Sequence, residues 1–302
     1  MPGAGPNGYP PRSHVVDYLT RYEQRYELVV RHGVTVWAVT RDPAGGSGFD
    51  VDSSAGSFAA RTVVSATGSW SRPFWPVYPG AERFAGRQFH AVGYRRPDDF
   101  AGRRVAVVGG GNSAAQILAE ISGHPDVAGT LWATPRPPRF LPDDLDGRDL
   151  FAAATERVRA LREGRAHAGV GGLGDIVMVP SVRAARDRGV LTSRPMFTRM
   201  TETGIAWPDG ANAEVDAVIW CTGFRPALRH LAPLGLRAPD GHIATVRRQG
   251  VPGTEAVEAP GLFLVGYGNW TGPASATLIG VGRTARDTAA DILTRLREDH
   301  AR

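Results

Sequence analysis

Residues 103–122, RRVAVVGGGNSAAQILAEIS, constrain the fold more than any other stretch of the chain. An apolar run, RVAVV, ends in three glycines and passes directly into a segment with helical apolar spacing. The GxGxxA pattern falls on Gly109, Gly111 and Ala114, with Gly110 between the first two. The first glycine permits a tight strand-to-helix turn, and the second lets a pyrophosphate approach the backbone. The small third residue lets helix and strand pack closely. A helix start also offers free N–H groups and the positive end of the helix dipole to phosphates. Asn112 or Ser113 is placed to cap this helix. The unit predicts a Rossmann-like, dinucleotide-binding α/β fold; a purely structural turn is the alternative.

The segment that follows bears on which dinucleotide. An NAD site commonly places an acid at the end of the second strand to hold the ribose hydroxyls. Here the second strand, GTLWATP, is followed by Arg136 and Arg139, with no acid before Asp143. A guanidinium fork suits a 2′-phosphate. NADPH is therefore expected over NADH, the alternative being that both arginines face solvent.

Composition excludes several classes. The chain has 302 residues, 42% of them hydrophobic, enough for one large domain or two ordinary ones. It holds no apolar run of membrane-spanning length and opens without a signal-peptide pattern, so a cytoplasmic location is expected, with no membrane partner. The net charge is +5 and all 35 basic residues are arginine. They are scattered, without a basic run or interleaved aromatics, which points to a basic surface rather than to nucleic-acid binding. Cys221 is the one cysteine, so no CxxC pair exists and dithiol-reductase chemistry is excluded. It lies in an apolar run and is expected to be a packed residue. Asp143 and Asp144 are expected in a solvated loop, with no metal site.

Around the glycine unit, residues 14–28 have helical spacing. GVTVWAVTR, GFDVDSS and FAARTVVSATG read as a three-stranded antiparallel meander. Residues 148–163 are helical by spacing, AEVDAVIWCTGF and PGLFLVGYGNWTG are strands entering turns, and 275–297 is the last helix. Two apolar strands end alike, at Ala66-Thr67-Gly68 and at Cys221-Thr222-Gly223, and they bracket the dinucleotide unit.

Between them, FAGRQFHAVGY fits FxGxxxHxxxY on Phe84, Gly86, His90 and Tyr94. This resembles the identifying motif of flavin-containing monooxygenases. SATGSWSRPFWP and CTGFRP resemble that family's two domain-linking segments, and the motif order resembles the flavin monooxygenases found near arsenic-resistance genes. The resemblance implies two Rossmann-like domains. An NADP domain (98–225) would be inserted into a discontinuous FAD domain (1–97 and 226–302) that lacks its first βαβ unit. The missing unit implies an unpaired sheet edge, an apolar gap and weak or absent FAD binding. It further implies that Ala66, Thr67, Gly68, Thr222 and Gly223 mark the crossings between domains. Gly266, Asn269 and Thr271 would lie near the flavin or its pyrophosphate, and His90 would act as a hinge or an NADP contact.

The implied cofactors are FAD and NADPH. The implied reaction inserts one oxygen atom from O2 into a small nucleophile. Because the cofactor carries the chemistry, no catalytic side chain is assigned. Tyr94 stands where Baeyer–Villiger relatives carry Trp, which favours N-, S- or metalloid oxidation. Two other readings stay open: a flavin reductase or oxidase without an oxygenated product, and a nucleotide-binding remnant without FAD activity.

Overall fold

The structure, a computed structural model, describes residues 12–43, 45–145, 175–248, 250–278 and 280–300, with scattered positions between 149 and 163. The helix expected over 148–163 lies largely outside the described residues. Helix α1 (Arg12–Arg25) is followed by β1 (Val36–Arg41), β2 (Phe49–Ser53) and β3 (Gly56–Ala60), an antiparallel meander. The run FAARTVVSATG, expected as one strand, divides after Ala60. Its second part, β4 (Val63–Ser65), joins a different sheet, where it pairs in parallel with Leu262–Leu264. A strand cannot serve an antiparallel partner in one sheet and a parallel partner in another without a bend. The break at Arg61-Thr62 supplies it, and Val63 N–H then donates to Gly261 O at 2.9 Å.

After the first crossing come β5 (Arg87–His90), β6 (Arg104–Val108), α2 (Asn112–Ile121), β7 (Gly129–Thr134), the helix Pro180–Asp187 and β8 (Ser193–Pro195). A small antiparallel sheet, β9 (Arg199–Met200), β10 (Gly204–Ala206) and β11 (Asn212–Glu214), precedes β12 (Ala217–Trp220). Strands β5-β12-β6-β7-β8, in that order, form one parallel sheet. Arg87–His90, expected in the first lobe, instead pairs residue for residue with Ala217–Trp220, so the change of sheet comes before Arg87. The pleat sorts the core by period two. Val105, Val107, Ala217 and Ile219 face one cluster with Leu118 and Ile121 of α2, whereas Ala106, Val108, Val218 and Trp220 face another with Phe197 and Trp207. Strands covered on both faces read as unbroken apolar runs, as RVAVV and AVIW do.

At the N-terminal ends of β6 and β12, Asp216 accepts from Arg104 N (2.8 Å), Nε (3.0 Å) and Nη2 (2.9 Å). The guanidinium and amide bonds hold the Asp216 carboxyl at about 2.

The chain then returns to the sheet it left. β13 (Thr245–Arg248), β14 (Val251–Ala256) and β15 (Leu262–Leu264) continue to β4 in the order β13-β14-β15-β4. Segments from before and after the parallel sheet thus share one sheet. Among the described residues β4 is its edge, with Val64 46% exposed. The last helix, expected from 275, begins at Val281. Ala274 has φ +58° and Gly280 packs on the Ala274 carbonyl, so the chain turns tightly before it can become helical.

Candidate nucleotide crevice

Strands β7 and β8 lie on one side of β6, β12 and β5 on the other, so chain order reverses between β6 and β12. In open parallel sheets, ligands bind outside the strands' carboxyl ends at such a switch point. Here those ends are Val108-Gly109 and Trp220-Cys221. Gly109 has φ +135°, and a Cβ there would stand 2.4 Å from Cys221 O. The turn is held on three sides. Gly109 N–H donates to Ala133 O (2.9 Å), Cys221 N–H to Val108 O (2.7 Å), and the buried Trp132 indole N–H to Gly109 O (2.7 Å). At Gly111 an added Cβ would meet nothing within 4 Å, which leaves open space before α2. Ala114 is fully buried, as close helix–strand packing requires.

Neither Asn112 nor Ser113 caps α2. The cap position is Gly111, without a side-chain hydrogen bond, and Ser113 is exposed. Asn112 instead stitches the turn to a returning segment: its Oδ1 accepts from Val177 N–H (2.8 Å) and its Nδ2 donates to Asp175 O (3.0 Å). Among the described residues no side chain caps the helix start in competition with an anion, and the cradle fits a pyrophosphate. Both arginines are exposed, the alternative left open by the sequence, and they differ only in their partners. Arg139 is ion-paired with Asp175 at 2.9 Å. Arg136 is exposed, and its carbonyl lies 3.9 Å from where a Gly110 Cβ would be.

The two crossings are zipped together beside this crevice. Phe74 N–H donates to Gly223 O (3.0 Å), Arg225 N–H to Arg72 O (2.8 Å), and Ala227 N–H to Gly68 O (2.8 Å). Thr222 Oγ1 donates to Phe74 O. Ala66 and Thr67 are exposed at the end of β4. A cleft of about 300 Å³ opens here, lined by Trp70, Val92, Tyr94, Ser113, Glu120 and Phe224. Trp70 and Phe224, one from each crossing, stack at 5.2 Å. Burial first, and the Glu120 carboxylate second, raise the Tyr94 phenol well above its usual range. Cys221, mostly buried, has its thiol pushed up to about 12 by burial, so it is not a nucleophile near neutral pH.

His90 is 2% exposed. Its Nδ1 accepts from Val92 N–H (3.2 Å), so Nε2 carries the proton and donates to Gly223 O (3.0 Å). It therefore braces β5 to the second crossing. Burial lowers its pKa, opposed by the bond to Gly223. A neutral ring is needed, because a protonated Nδ1 would face the Val92 N–H. The unfolded state then binds the extra proton first, so stability declines as pH falls below about 6.5, and levels off below the folded-state pKa. Thermal melts from pH 8 to 5 should show this decline, and His90→Gln should flatten it; an unchanged slope would remove the brace.

The loop after β15 differs from expectation. Gly266 and Gly268 take φ +85° and +98°, conformations that favour glycine. Thr271, however, is fully buried and spends its hydroxyl inside the loop. It bonds Tyr267 N–H (3.2 Å), Gly268 O (3.1 Å) and Ser275 Oγ (2.9 Å). Asn269 is exposed, and its Oδ1 accepts from Ala274 N–H. The residue that links this loop to the crossings is Tyr267, which no linear motif marks. Its hydroxyl lies 2.6 Å from Ser65 Oγ, 2.7 Å from Thr67 Oγ1 and 3.2 Å from Thr67 N.

Comparison with known proteins agrees with this geometry. Residues 4–127 match the family model described as pyridine nucleotide-disulphide oxidoreductase. The flavin-containing monooxygenase from Stenotrophomonas maltophilia is 44% identical, with a TM-score of 0.83 over 97% of this chain and 80% of that one. An uncharacterized CzcO-like oxidoreductase of Geobacillus kaustophilus is 28% identical over 225 residues, 72% of this chain and 62% of the relative. The indole-3-pyruvate monooxygenase YUCCA1 of Oryza sativa is 27% identical over 246 residues, 72% of this chain and 60% of the relative. The chain thus spans 62% and 60% of the length of these two curated relatives. With 44% identity and a TM-score of 0.83 across 80% of a solved flavin-containing monooxygenase, the chain belongs to the flavin-containing monooxygenases, a family of flavin-dependent oxidoreductases.

Proposed function

We propose that this chain carries out NADPH- and FAD-dependent insertion of one oxygen atom from O2 into a small nucleophilic substrate, the second oxygen leaving as water. The observation that carries the reading is the position of the glycine-turned crevice. It opens beside the zipped crossings, so a dinucleotide held at the start of α2 would lie next to the junction of the two sheets. Gly109, Gly110 and Gly111 would hold the pyrophosphate. The exposed Arg136 supports the choice of NADPH; Arg139, equally exposed, is paired with Asp175. The residues flanking the second sheet's carboxyl edge fit a flavin in part. An added Cβ at Gly68 or Gly268 would meet nothing within 4 Å, and Gly266 lets the loop turn. When bound, FAD supplies electron transfer and oxygen activation. The protein's share would be to position it and to exclude water; Trp70 and Phe224 line the neighbouring cleft.

The reading places the enzyme in the cytoplasm, in keeping with its unpaired Cys221. Among the described residues no helix is long and apolar enough to cross a membrane. The deciding experiment measures NADPH and O2 consumption by the flavin-loaded protein with a thioether or tertiary amine, and assays the products. Matching yields of oxygenated product support the monooxygenase. Stoichiometric hydrogen peroxide without oxygenated product would instead assign an oxidase.

A further inference from the structure

We infer that the chain carries a second ligand site, for an organic anion with an apolar body, beside the zipped crossings. A cavity of about 370 Å³ lies there, with Arg72, Arg229 and Arg237 at its rim and Leu228, Leu231 and Ile243 in its floor. The floor residues are buried members of the second sheet's core. Arg72 comes from the first crossing. Arg229 opens the turn Arg229–Leu234 just after the second, and Arg237 follows the left-handed Gly235 (φ +68°).

The charge balance is what points to an anion. Among the described residues three arginines and no acidic residue line one hole. Among the described residues, none of the three forms an ion pair, although Arg104, Arg139 and Arg186 each have a carboxylate partner. Arg237 is steadied by donating Nε–H to Gly241 O (3.2 Å), which leaves its terminal nitrogens available. Like charges around a partly enclosed, apolar-walled space raise the local potential and draw an anion. A guanidinium fork matches a carboxylate with two parallel bonds, and the leucine floor rewards an attached hydrocarbon. The volume is at the low end for small-molecule pockets, too small for a dinucleotide. No residue is shared with the Trp70–Phe224 cleft. A bound anion would tie Arg72 to Arg229, and so fasten the two crossings beside the bond from Arg225 N–H to Arg72 O (2.8 Å).

The test is calorimetric titration of the whole protein at low ionic strength. Octanoate and benzoate serve as probes, with acetate and inorganic phosphate as charge-only controls. Octanoate or benzoate is expected to bind saturably and acetate about tenfold more weakly. The double variant Arg72→Gln/Arg229→Gln should lose at least about tenfold in affinity. Both positions are exposed, so circular dichroism should show an unchanged fold. Saturating NADPH should leave octanoate binding intact. The inference is overturned by absence of saturable binding at millimolar probe, by equal binding in the double variant, by phosphate binding as well as octanoate, or by full displacement with NADPH. None of these outcomes depends on oxygenase activity, so failure here and failure of the proposed function are distinguishable.

Discussion

Gly111→Ala is expected to abolish most dinucleotide binding while leaving the fold intact, and Gly109→Ala to do the reverse in order of cause. Gly111 has an ordinary extended backbone, φ −111°, and a Cβ there meets no protein atom within 4 Å. The added methyl group enters only the space a pyrophosphate would occupy. NADPH affinity should drop at least about tenfold, with little change in melting temperature. At Gly109 the same methyl group would stand 2.4 Å from the Cys221 carbonyl oxygen, in a backbone region (φ +135°) that L-residues rarely enter. The ends of β6 and β12 would have to separate, at a cost of about 2–3 kcal/mol or more. Thermal melts with and without NADPH distinguish the two. A Gly111→Ala protein with unaltered NADPH protection would show that the crevice does not hold the phosphates.

Tyr267→Phe should destabilise the second sheet by about 2 kcal/mol, because the lost hydroxyl is the middle link of a directed chain. Thr67 Oγ1 has one proton and donates it to Ala227 O (2.7 Å), so it accepts from Tyr267. Tyr267 then accepts from Ser65 Oγ, and Ser65 in turn accepts from His230 Nε2–H (2.9 Å). The direction runs from His230 to the backbone of the second crossing without a break. Phenylalanine keeps the ring stacked on Trp270 at the centroid distance of 5.7 Å but leaves Thr67 N–H and Ser65 without their partner. Burial already holds His230 below its usual pKa. A melt lowered by several degrees would agree with the chain. A melt unchanged within error would mean that water replaces the hydroxyl.

Legibility differed by element. RVAVVGGGNSAA could be read because a strand, a turn and a helix are encoded locally, each by spacing or by glycine. The same local logic located β12 and β15. It failed where a residue's role depends on who arrives from elsewhere. Asn112 has the chemistry of a cap, yet its partners are Val177 and Asp175. Thr271 sits in a glycine turn that looks open in the sequence, yet its hydroxyl closes that turn from inside. Arg87–His90 belongs with β12, more than a hundred positions later, and nothing near it in the chain says so. Trp132 and Tyr267 were the same kind of omission: large apolar residues whose single polar atoms find backbone or hydroxyl partners only on folding.

The sequence by itself determined that this chain builds a glycine-turned parallel unit between two strands ending in Thr-Gly, and that its 302 residues hold a single cysteine and no CxxC pair. Those properties rest on short-range backbone preferences and on residue inventory. Only the tertiary structure decided which of two exposed arginines pairs with Asp175, how the two crossings zip, and that Arg72, Arg229 and Arg237 line one cavity. Each of these is a matter of distance between residues far apart in sequence, set by sheet register and packing rather than by local spacing.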